Sequence, residues 1–401
     1  MKIAIVVQGR FHAFDLARAL LARGHDVTLF TNYPKWAVER FGIDPDRVRS
    51  FWPHGLVSRV AQLLHDGRLL REPERWLHPV FGRWVSGELA KESWDVVHGW
   101  SGVSEEHLAE SASAATLRLI MRGSAHIRTQ ARILEEEERR TNRKLDRPGP
   151  WIIAREGREY EVADKIVVLS TFAYRSFLEE GVDPDKLRLL QLGTRATAFR
   201  PRPEVIEARC RRILSGDPLR VLYVGTLSMR KGFLDVLKVV RTLAPNFSFR
   251  FVGPVMAEVK KSVRELRNLA ELIPKQPHNE LPRWYAEGDV FLFPTVEDGY
   301  AVVLAQAQAA GLPVLTTTNC CGPDLICEGE TGWVLPIRSA EAFIERLLWC
   351  DSHRQELAEM VRHAYADFRP RDWADVAADF ESLCTSELMA KHSHLTAQNG
   401  R

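Results

Sequence analysis

No stretch of this 401-residue chain approaches 18 uninterrupted apolar residues, so no segment reads as a membrane-spanning helix. An excess of one charge is missing too: 55 Lys and Arg face 53 Asp and Glu, a formal net of +2, which gives no reason to expect a nucleic-acid partner. Cysteine is sparse. The six thiols, Cys210, Cys320, Cys321, Cys327, Cys350 and Cys384, contain no CxxC pair and no Cys/His ligand spacing. That excludes a disulfide scaffold and a zinc module, and predicts reduced thiols in a cytoplasmic protein. The opening "MKIAIVVQGR" holds too few apolar residues for a signal-peptide core and reads as a strand. Its continuation "VVQGRFHAF" lacks GxGxxG, so a dinucleotide-dependent dehydrogenase has little support. No cluster of Asp, Glu or His suggests a required metal or resident cofactor.

What is present is a rhythm. Short β-branched runs ("KIAIVV", "HDVTLFT", "WDVVHGW", "LRLIMRG", "DKIVVLS") alternate with amphipathic helical stretches such as "HAFDLARALLARG", where Phe14, Ala17, Leu20 and Leu21 recur at helical spacing and Gly24 supplies the stop. Runs of that kind are the mark of βαβ units around a buried parallel sheet. The rhythm restarts after "LGTRATAFRPRPEV", whose Gly193, Pro201 and Pro203 suit a linker, and continues through "PLRVLYVGT", "FSFRFVGP", "DVFLFPT", "LPVLTTT" and "GWVLP". The length alone favours two cores. The expectation is therefore α/β, two Rossmann-like doubly wound domains facing a central cleft: residues 1–198, residues 199–365, and a helical segment 366–401 packing back on the first domain and fraying at its tail. Ligands in such folds bind at the carboxyl ends of strands.

Three turns of the second half carry the chemistry. "YVGTLSMRKGFLDVL" runs strand, Gly225, a loop with Arg230 and Lys231, a glycine, then a helix, so free amides and the helix dipole meet two cations at one place. This is an anion site suited to phosphate. It is not a P-loop, because no Ser or Thr follows Lys231. In "EDGYAVVLAQAQAAGLPVL", Pro294 and Gly299 confine Asp298 to a loop, with a helix expected from about Tyr300. Asp298 fits either a ligand contact or a helix N-cap. Gln306 is a polar side chain on a helix apolar all round, where a buried amide requires a partner. In "TTTNCCGPDLI", Gly322 and Pro323 open a third helix start. A nucleotide with a phosphate bridge matches the length and chemistry of that edge.

Together these segments resemble the family-4 retaining glycosyltransferases with the two-domain GT-B fold. "ARALLARGHDVTLFT" is similar to their first βαβ unit, "ADKIVVLSTFAYRSFLEEGVDPDKLRLLQLG" to their approach to the linker, and "FPTVEDGYAVVLAQAQAAGLPVL" to their signature of two glutamates separated by seven residues. The resemblance implies a nucleoside diphosphate sugar as donor, most readily UDP- or GDP-linked, and an acceptor hydroxyl on a glycan, lipid or small molecule. It further implies that Asp298 addresses the transferred sugar, that the backbone of Gly299, Tyr300 and Ala301 meets sugar and phosphate, and that Gln306 holds the ribose. Arg230 and Lys231 would neutralise the leaving diphosphate, with Gly9, Gly225 and Gly322 around the donor and His126 reaching its sugar. Arg122, His98 and His12 are weaker candidates. The chain departs from the pattern at Gln306 in place of glutamate, at Arg195 in place of the usual linker aspartate, and at Gly9-Arg10 in place of Gly-Gly.

The resulting expectation is a metal-independent hexosyltransferase working by a front-face displacement. The alternatives are a nucleotide-sugar epimerase on the same fold and a catalytically silent sugar-nucleotide binder. The segment "GLVSRVAQLLHDGRLLREPERWLHPVFGRWVSGELAK" mixes Arg, Trp, Leu and Phe at helical spacing. It fits a peripheral contact with the inner face of a membrane, or, more commonly, a surface helix with a buried stripe.

Overall fold

The computed structural model describes residues 1–66, 69–110, 113–244 and 246–399. Among these, thirteen strands form two separate sheets. The first contains β1 (Lys2–Val7), β2 (Asp26–Thr31), β3 (Val48–Ser50), β4 (Val96–Trp100), β5 (Leu117–Arg122), β6 (Lys165–Val168) and β7 (Leu187–Leu189), ordered β3-β2-β1-β4-β5-β6-β7. The second contains β8 (Leu219–Val224), β9 (Phe247–Val252), β10 (Glu271–Ile273), β11 (Val290–Phe293), β12 (Val314–Thr317) and β13 (Gly332–Leu335), ordered β10-β9-β8-β11-β12-β13. Every pairing within the sheets is parallel.

Parallel sheets are covered on both faces, and the strands read accordingly. In β1 the side chains of Ile3, Ile5 and Val7 join the core that holds Phe14, Ala17 and Leu20, while Ala4 and Val6 face the opposite layer with Phe81, Val85 and Phe177. The helix Ala13–Ala22 stops where expected, at Gly24, whose φ of +85° is the left-handed conformation that closes a helix.

The chain crosses between domains twice. Residues 190–202 lead into the helix Pro203–Leu214, and residues 368–372 lead back into the long helix Trp373–Asn399. The crossings touch: Thr194 N–H donates to the Arg371 carbonyl at 2.8 Å, and a Cβ on Gly193 would lie 2.4 Å from the backbone of Asp372. The returning helix lies on the N-terminal domain through Arg23–Glu381 at 2.5 Å, Lys391–Asp164 at 2.6 Å, and Phe380 edge-on to His98. It remains helical to Asn399; the final two residues of the tail expected to fray lie outside the described residues. Both sheets reverse order at their first strand, so the two crevices, β1/β4 and β8/β11, open toward the same interdomain space.

Candidate active site

That space is a cavity of about 1350 Å³ lined from the N-terminal side by Gly9, His12, Arg122 and Ser124 and from the C-terminal side by Arg230, Tyr300 and Gln306. After β8 the chain turns through a 3-10 helix, Met229–Lys231, capped by Ser228 Oγ, which accepts from Lys231 N–H at 3.3 Å. Gly232 then takes φ +74° as N-cap of Phe233–Leu243, with Pro294 pressed so close that an added Cβ would lie 1.9 Å from its carbonyl oxygen. No other residue type fits that turn. The loop after β11 bonds to it, Val296 N–H donating to the Arg230 carbonyl at 3.0 Å, and to the loop after β12, Asp298 N–H donating to the Asn319 carbonyl at 2.9 Å. The three turns singled out in the sequence thus form one hydrogen-bonded rim.

Both cations of the rim have carboxylate partners. Lys231 Nζ lies 2.6 Å from Asp298 Oδ2, and an Arg230 terminal nitrogen lies 2.6 Å from Glu297 Oε2. Asp298 is not a helix cap. The helix runs Val302–Ala309 from an N-cap at Ala301 without a side-chain bond, two residues later than expected, and Asp298 Oδ1 accepts only from Tyr300 N–H at 3.3 Å. The cap reading therefore falls, leaving Asp298 oriented by Lys231.

Glu297 is the residue the sequence reading passed over. It is fully buried, accepts from the Ser124 hydroxyl and from Gln130 Nε2 at 3.1 Å, and pairs with Arg230. Burial pushes its carboxyl up, but Arg230, the Ser124 hydroxyl, Lys231 and Gln130 outweigh that and bring it down to about 2. Ser124 and Gln130 belong to the N-terminal domain, so Glu297 joins the two halves. Gly299 completes the seam: a Cβ there would sit 2.1 Å from the Gly123 carbonyl oxygen and 2.5 Å from Ser124 Cα. Farther along, the helix Ile127–Thr141 carries Arg140 to Asp235 at 3.0 Å, and its Glu137 meets Arg338 at 2.9 Å. The paired acids in "VED" were the available signal, but only the partner domain identifies which of them is buried.

Gln306 is buried and lines the cavity. Its Oε1 accepts from the Tyr285 hydroxyl at 2.9 Å and its Nε2 lies 3.4 Å from His278 Nε2. An amide nitrogen only donates, so His278 accepts there as neutral imidazole. Burial and the nearby cations Arg195 and Arg10 lower its pKa, which favours that form. Gly322 opens the short helix Gly322–Leu325 as expected and is packed against Thr316 and the Thr317 carbonyl. Neighbouring Asp324 reaches across to the hydroxyl and amide of Thr171.

Some candidates go elsewhere. His126 does not enter the cleft. Its ring packs against Tyr160 and Phe177, its Nδ1 accepts from Arg128 N–H at 3.3 Å as an N-cap, and burial lowers its pKa to about 4. Gly123 and Ser124, just before it, line the cavity instead. His98 is fully buried between Trp100 and Phe380, with its pKa pushed down to about 3 by burial. His12 and Arg122 do line the cavity, His12 against Trp100 and Arg122 paired with Glu156 at 3.0 Å. Gly9 turns the chain at φ +96° after β1, its N–H donating to Asn32 Oδ1 at 2.8 Å. Of the other predicted residues, Lys231, Asp298, Gly225, Gly299, Ala301 and Gly322 sit in the loops and helix starts of the rim and do not themselves line the cavity. Among the described residues, no group of three or more His, Cys, Asp or Glu could hold a metal ion, and no helix is long and apolar enough to cross a membrane.

The chain can now be set beside known proteins. Residues 10–196 match the Glycosyltransferase Family 4 profile and residues 218–351 match that of Glycosyl transferases group 1. The chain is 27% identical over 198 residues to the putative colanic acid biosynthesis glycosyltransferase WcaL of Escherichia coli, covering 46% of this chain and 47% of WcaL. It is 23% identical over 333 residues to the amylovoran biosynthesis glycosyltransferase AmsK of Erwinia amylovora, covering 80% and 76% of the two chains. The match to the E. coli relative spans about half of its length. In fold it is similar to sucrose-phosphate synthase of Thermosynechococcus elongatus (TM-score 0.69, 18% identity, covering 97% of this chain and all of the other). It is likewise similar to HepE of Anabaena solved with UDP (TM-score 0.66, 14% identity, covering 96% of this chain and all of the other). With its two Rossmann-like halves each matching one half of the same enzyme type, the chain belongs to the family-4-like glycosyltransferases of GT-B fold.

Proposed function

We propose that the protein transfers a hexose from a nucleoside diphosphate sugar to an acceptor hydroxyl, with retention at the anomeric carbon and without a metal ion. The observation that carries this reading is the rim where Arg230 and Lys231, at a helix N-terminus, are oriented by Glu297 and Asp298. Lysine carries three donors. One meets Asp298 and another the Glu297 carbonyl at 3.3 Å, so the ammonium is held in place beside Arg230, with its third donor left for a diphosphate. As the C1–O bond to the diphosphate breaks, negative charge grows on the leaving oxygen, and fixed cations stabilise it without reorganising. In the front-face course the acceptor oxygen bonds to C1 on the side being vacated, and its proton passes to the departing phosphate oxygen. Glu297 is engaged by Ser124, Gln130 and Arg230, which leaves its carboxylate no freedom to act as a nucleophile. Gln306, with Tyr285 and His278, is suited to a ribose diol. UDP is the first donor nucleotide to try, because HepE, similar in fold, was solved with it. A cytoplasmic setting fits the six free thiols.

The test is a thermal-shift panel of UDP-, GDP- and ADP-sugars on the full chain, followed by turnover of the stabilising sugar with and without EDTA. A ligand at a hundred times its Kd should stabilise by about 2.7 kcal/mol. NMR of the product should show the donor's anomeric configuration. An inverted product, or activity abolished by EDTA and restored by Mg or Mn, would overturn the corresponding part of the reading.

A further inference from the structure

The N-terminal wall of the cavity holds cations for which the donor reading has no use. Arg10, Arg40, Arg59 and Arg195 all line it and all are exposed. Among the described residues none of the four has an ion-pair partner: the one carboxylate of the lining, Asp15, is taken by Arg18 at 2.7 Å. Arg10 instead lies over Phe41 at 4.4 Å and Arg40 over Trp36 at 4.8 Å. Guanidinium groups resting on aromatic faces keep their N–H forks free for a phosphate.

Beside them the protein exposes apolar surface where a surface helix normally hides it. The helix Trp52–Asp66 presents Trp52, Leu56, Val60 and Leu63 along one face, with Leu63 72% exposed, and Arg59 lies within the same stretch. The buried stripe expected for this segment is confined to the following helix, Glu74–Leu89, where Leu77, Phe81, Val85 and Leu89 are inside. The first helix is instead pinned by its other side: a Cβ on Gly55 would lie 2.2 Å from the Asn32 carbonyl oxygen, and His54 Nε2 lies 3.0 Å from the Leu77 carbonyl. Phe11 (65% exposed), Trp36 (60%), Trp52 and Leu56 also line the cavity, so the apolar face runs into its mouth. A patch of that extent marks an interaction surface. A helix with its apolar side outward and cations at its flank is built for the boundary between acyl chains and phosphates.

Resting on the glycosyltransferase reading, we propose that the acceptor is a membrane amphiphile, an apolar chain carrying a phosphate or diphosphate. Its tail lies along Trp52–Leu63, and its phosphate sits among Arg10, Arg40, Arg59 and Arg195. The acceptor hydroxyl, beyond the phosphate, enters the cleft toward Asp298. Charge complementarity selects this occupant: four unpaired cations at the edge of an apolar face match an anionic head on an apolar tail, and neither half alone uses both surfaces.

Three probes test it on the full chain by calorimetry: farnesyl diphosphate below its micellar concentration, farnesol, and inorganic pyrophosphate. Farnesyl diphosphate should bind at least about ten-fold more tightly than either half. The double variant Arg40→Ala/Arg59→Ala should lower that affinity about ten-fold or more while UDP affinity holds. Leu56→Asp/Leu63→Asp should bring farnesyl diphosphate down to the level of pyrophosphate. Equal affinity for farnesyl diphosphate and pyrophosphate would overturn the proposal in favour of a soluble phosphorylated acceptor. So would farnesyl diphosphate binding abolished by Lys231→Ala but indifferent to Arg40 and Arg59, because the diphosphate would then occupy the donor rim. A wild-type dimer in sedimentation, dispersed by Leu56→Asp/Leu63→Asp and binding none of the probes, would give the apolar face to a second copy and overturn it as well. A chain that discriminates the three probes as expected yet binds no nucleoside diphosphate supports the amphiphile site and sinks the donor reading alone.

Discussion

On the C-terminal side of the cleft, Arg230 and Lys231 each meet a carboxylate at 2.6 Å; on the N-terminal wall, Arg10 and Arg40 rest on Phe41 and Trp36, and among the described residues no carboxylate pairs with them. The difference separates two uses of positive charge. A cation held by a neighbouring acid has a fixed position, so its remaining N–H donors can meet the charge on a departing group without reorganising. A cation without a partner keeps its field and its rotational freedom, which suits capture of an anion arriving from outside. The donor wall is therefore organised by geometry and the opposite wall by charge.

The comparison can be broken most severely at Glu297. Glu297→Ala removes the acid that Arg230, Ser124 and Gln130 share, and should cost about 3 kcal/mol, the low end for a severed buried pair because Arg230 reaches solvent. Chemical denaturation would show a lowered midpoint and scattering a larger radius of gyration. The same carboxyl gives a pH dependence. Its folded pKa of about 2 lies below the ordinary 4.5, so its contribution is complete above about pH 4.5 and fades as pH falls toward 2. Domain separation on acidification should follow that window in wild type and lose the dependence in Glu297→Gln.

Asp298→Ala addresses the other acid. Turnover should fall by about a hundred-fold or more if it positions charge at the reacting centre. Stability should drop by about 1–2 kcal/mol, less than for Glu297, because the Lys231–Asp298 pair is only partly exposed rather than fully buried, and UDP affinity should stay near wild type. Equal turnover per folded molecule would remove Asp298 from the mechanism. Lys231→Ala should weaken nucleoside diphosphate binding by about 1.5–3 kcal/mol in calorimetry, with a modest fall in melting temperature because Asp298 loses its partner. Unaltered affinity would dismantle the donor rim. The smallest effect belongs to Gln306. Gln306→Ala should cost about 1 kcal/mol per lost hydrogen bond for nucleoside diphosphate and sugar nucleotide alike. Gln306→Glu should leave Tyr285 satisfied and raise the pKa of His278, readable by NMR titration, because an anion then faces the imidazole.

The strands with long β-branched runs were legible in the sequence, as was the stop at Gly24. Three edge strands, β3, β7 and β10, were not, since three residues are too few for any period to show. A local signal did exist for two of them. "DPDRVRS" and "DPDKLRL" each place an Asp that accepts at 2.9 Å from the amide two residues on, closing a 3-10 turn from which the edge strand starts. At the rim, the placement of Arg230, Lys231 and Asp298 was legible because each falls in a short loop between a strand and a helix, and that of Gln306 because it is a polar side chain on an otherwise apolar helix. Glu297, Ser124 and Gln130 could not, because their role exists only when two segments more than 160 residues apart meet. His126 misled for the same reason: its position after β5 is the expected one, but Tyr160 and Phe177 draw the ring inward.

The helix Trp373–Asn399 has a consequence for how the protein comes into being. It shields the flank of Ala13–Ala22 and reaches His98 with Phe380, yet it leaves the ribosome roughly 350 residues after the helix it covers, about 20–70 s later at 5–20 residues per second. During that interval the first domain has its sheet but not its final layer, and the apolar seat for Val376, Ala377 and Phe380 stays open to chaperones. A chain cut before residue 373 would stay in that half-clad condition, with both ends of the cleft translated and the outer seam never closed.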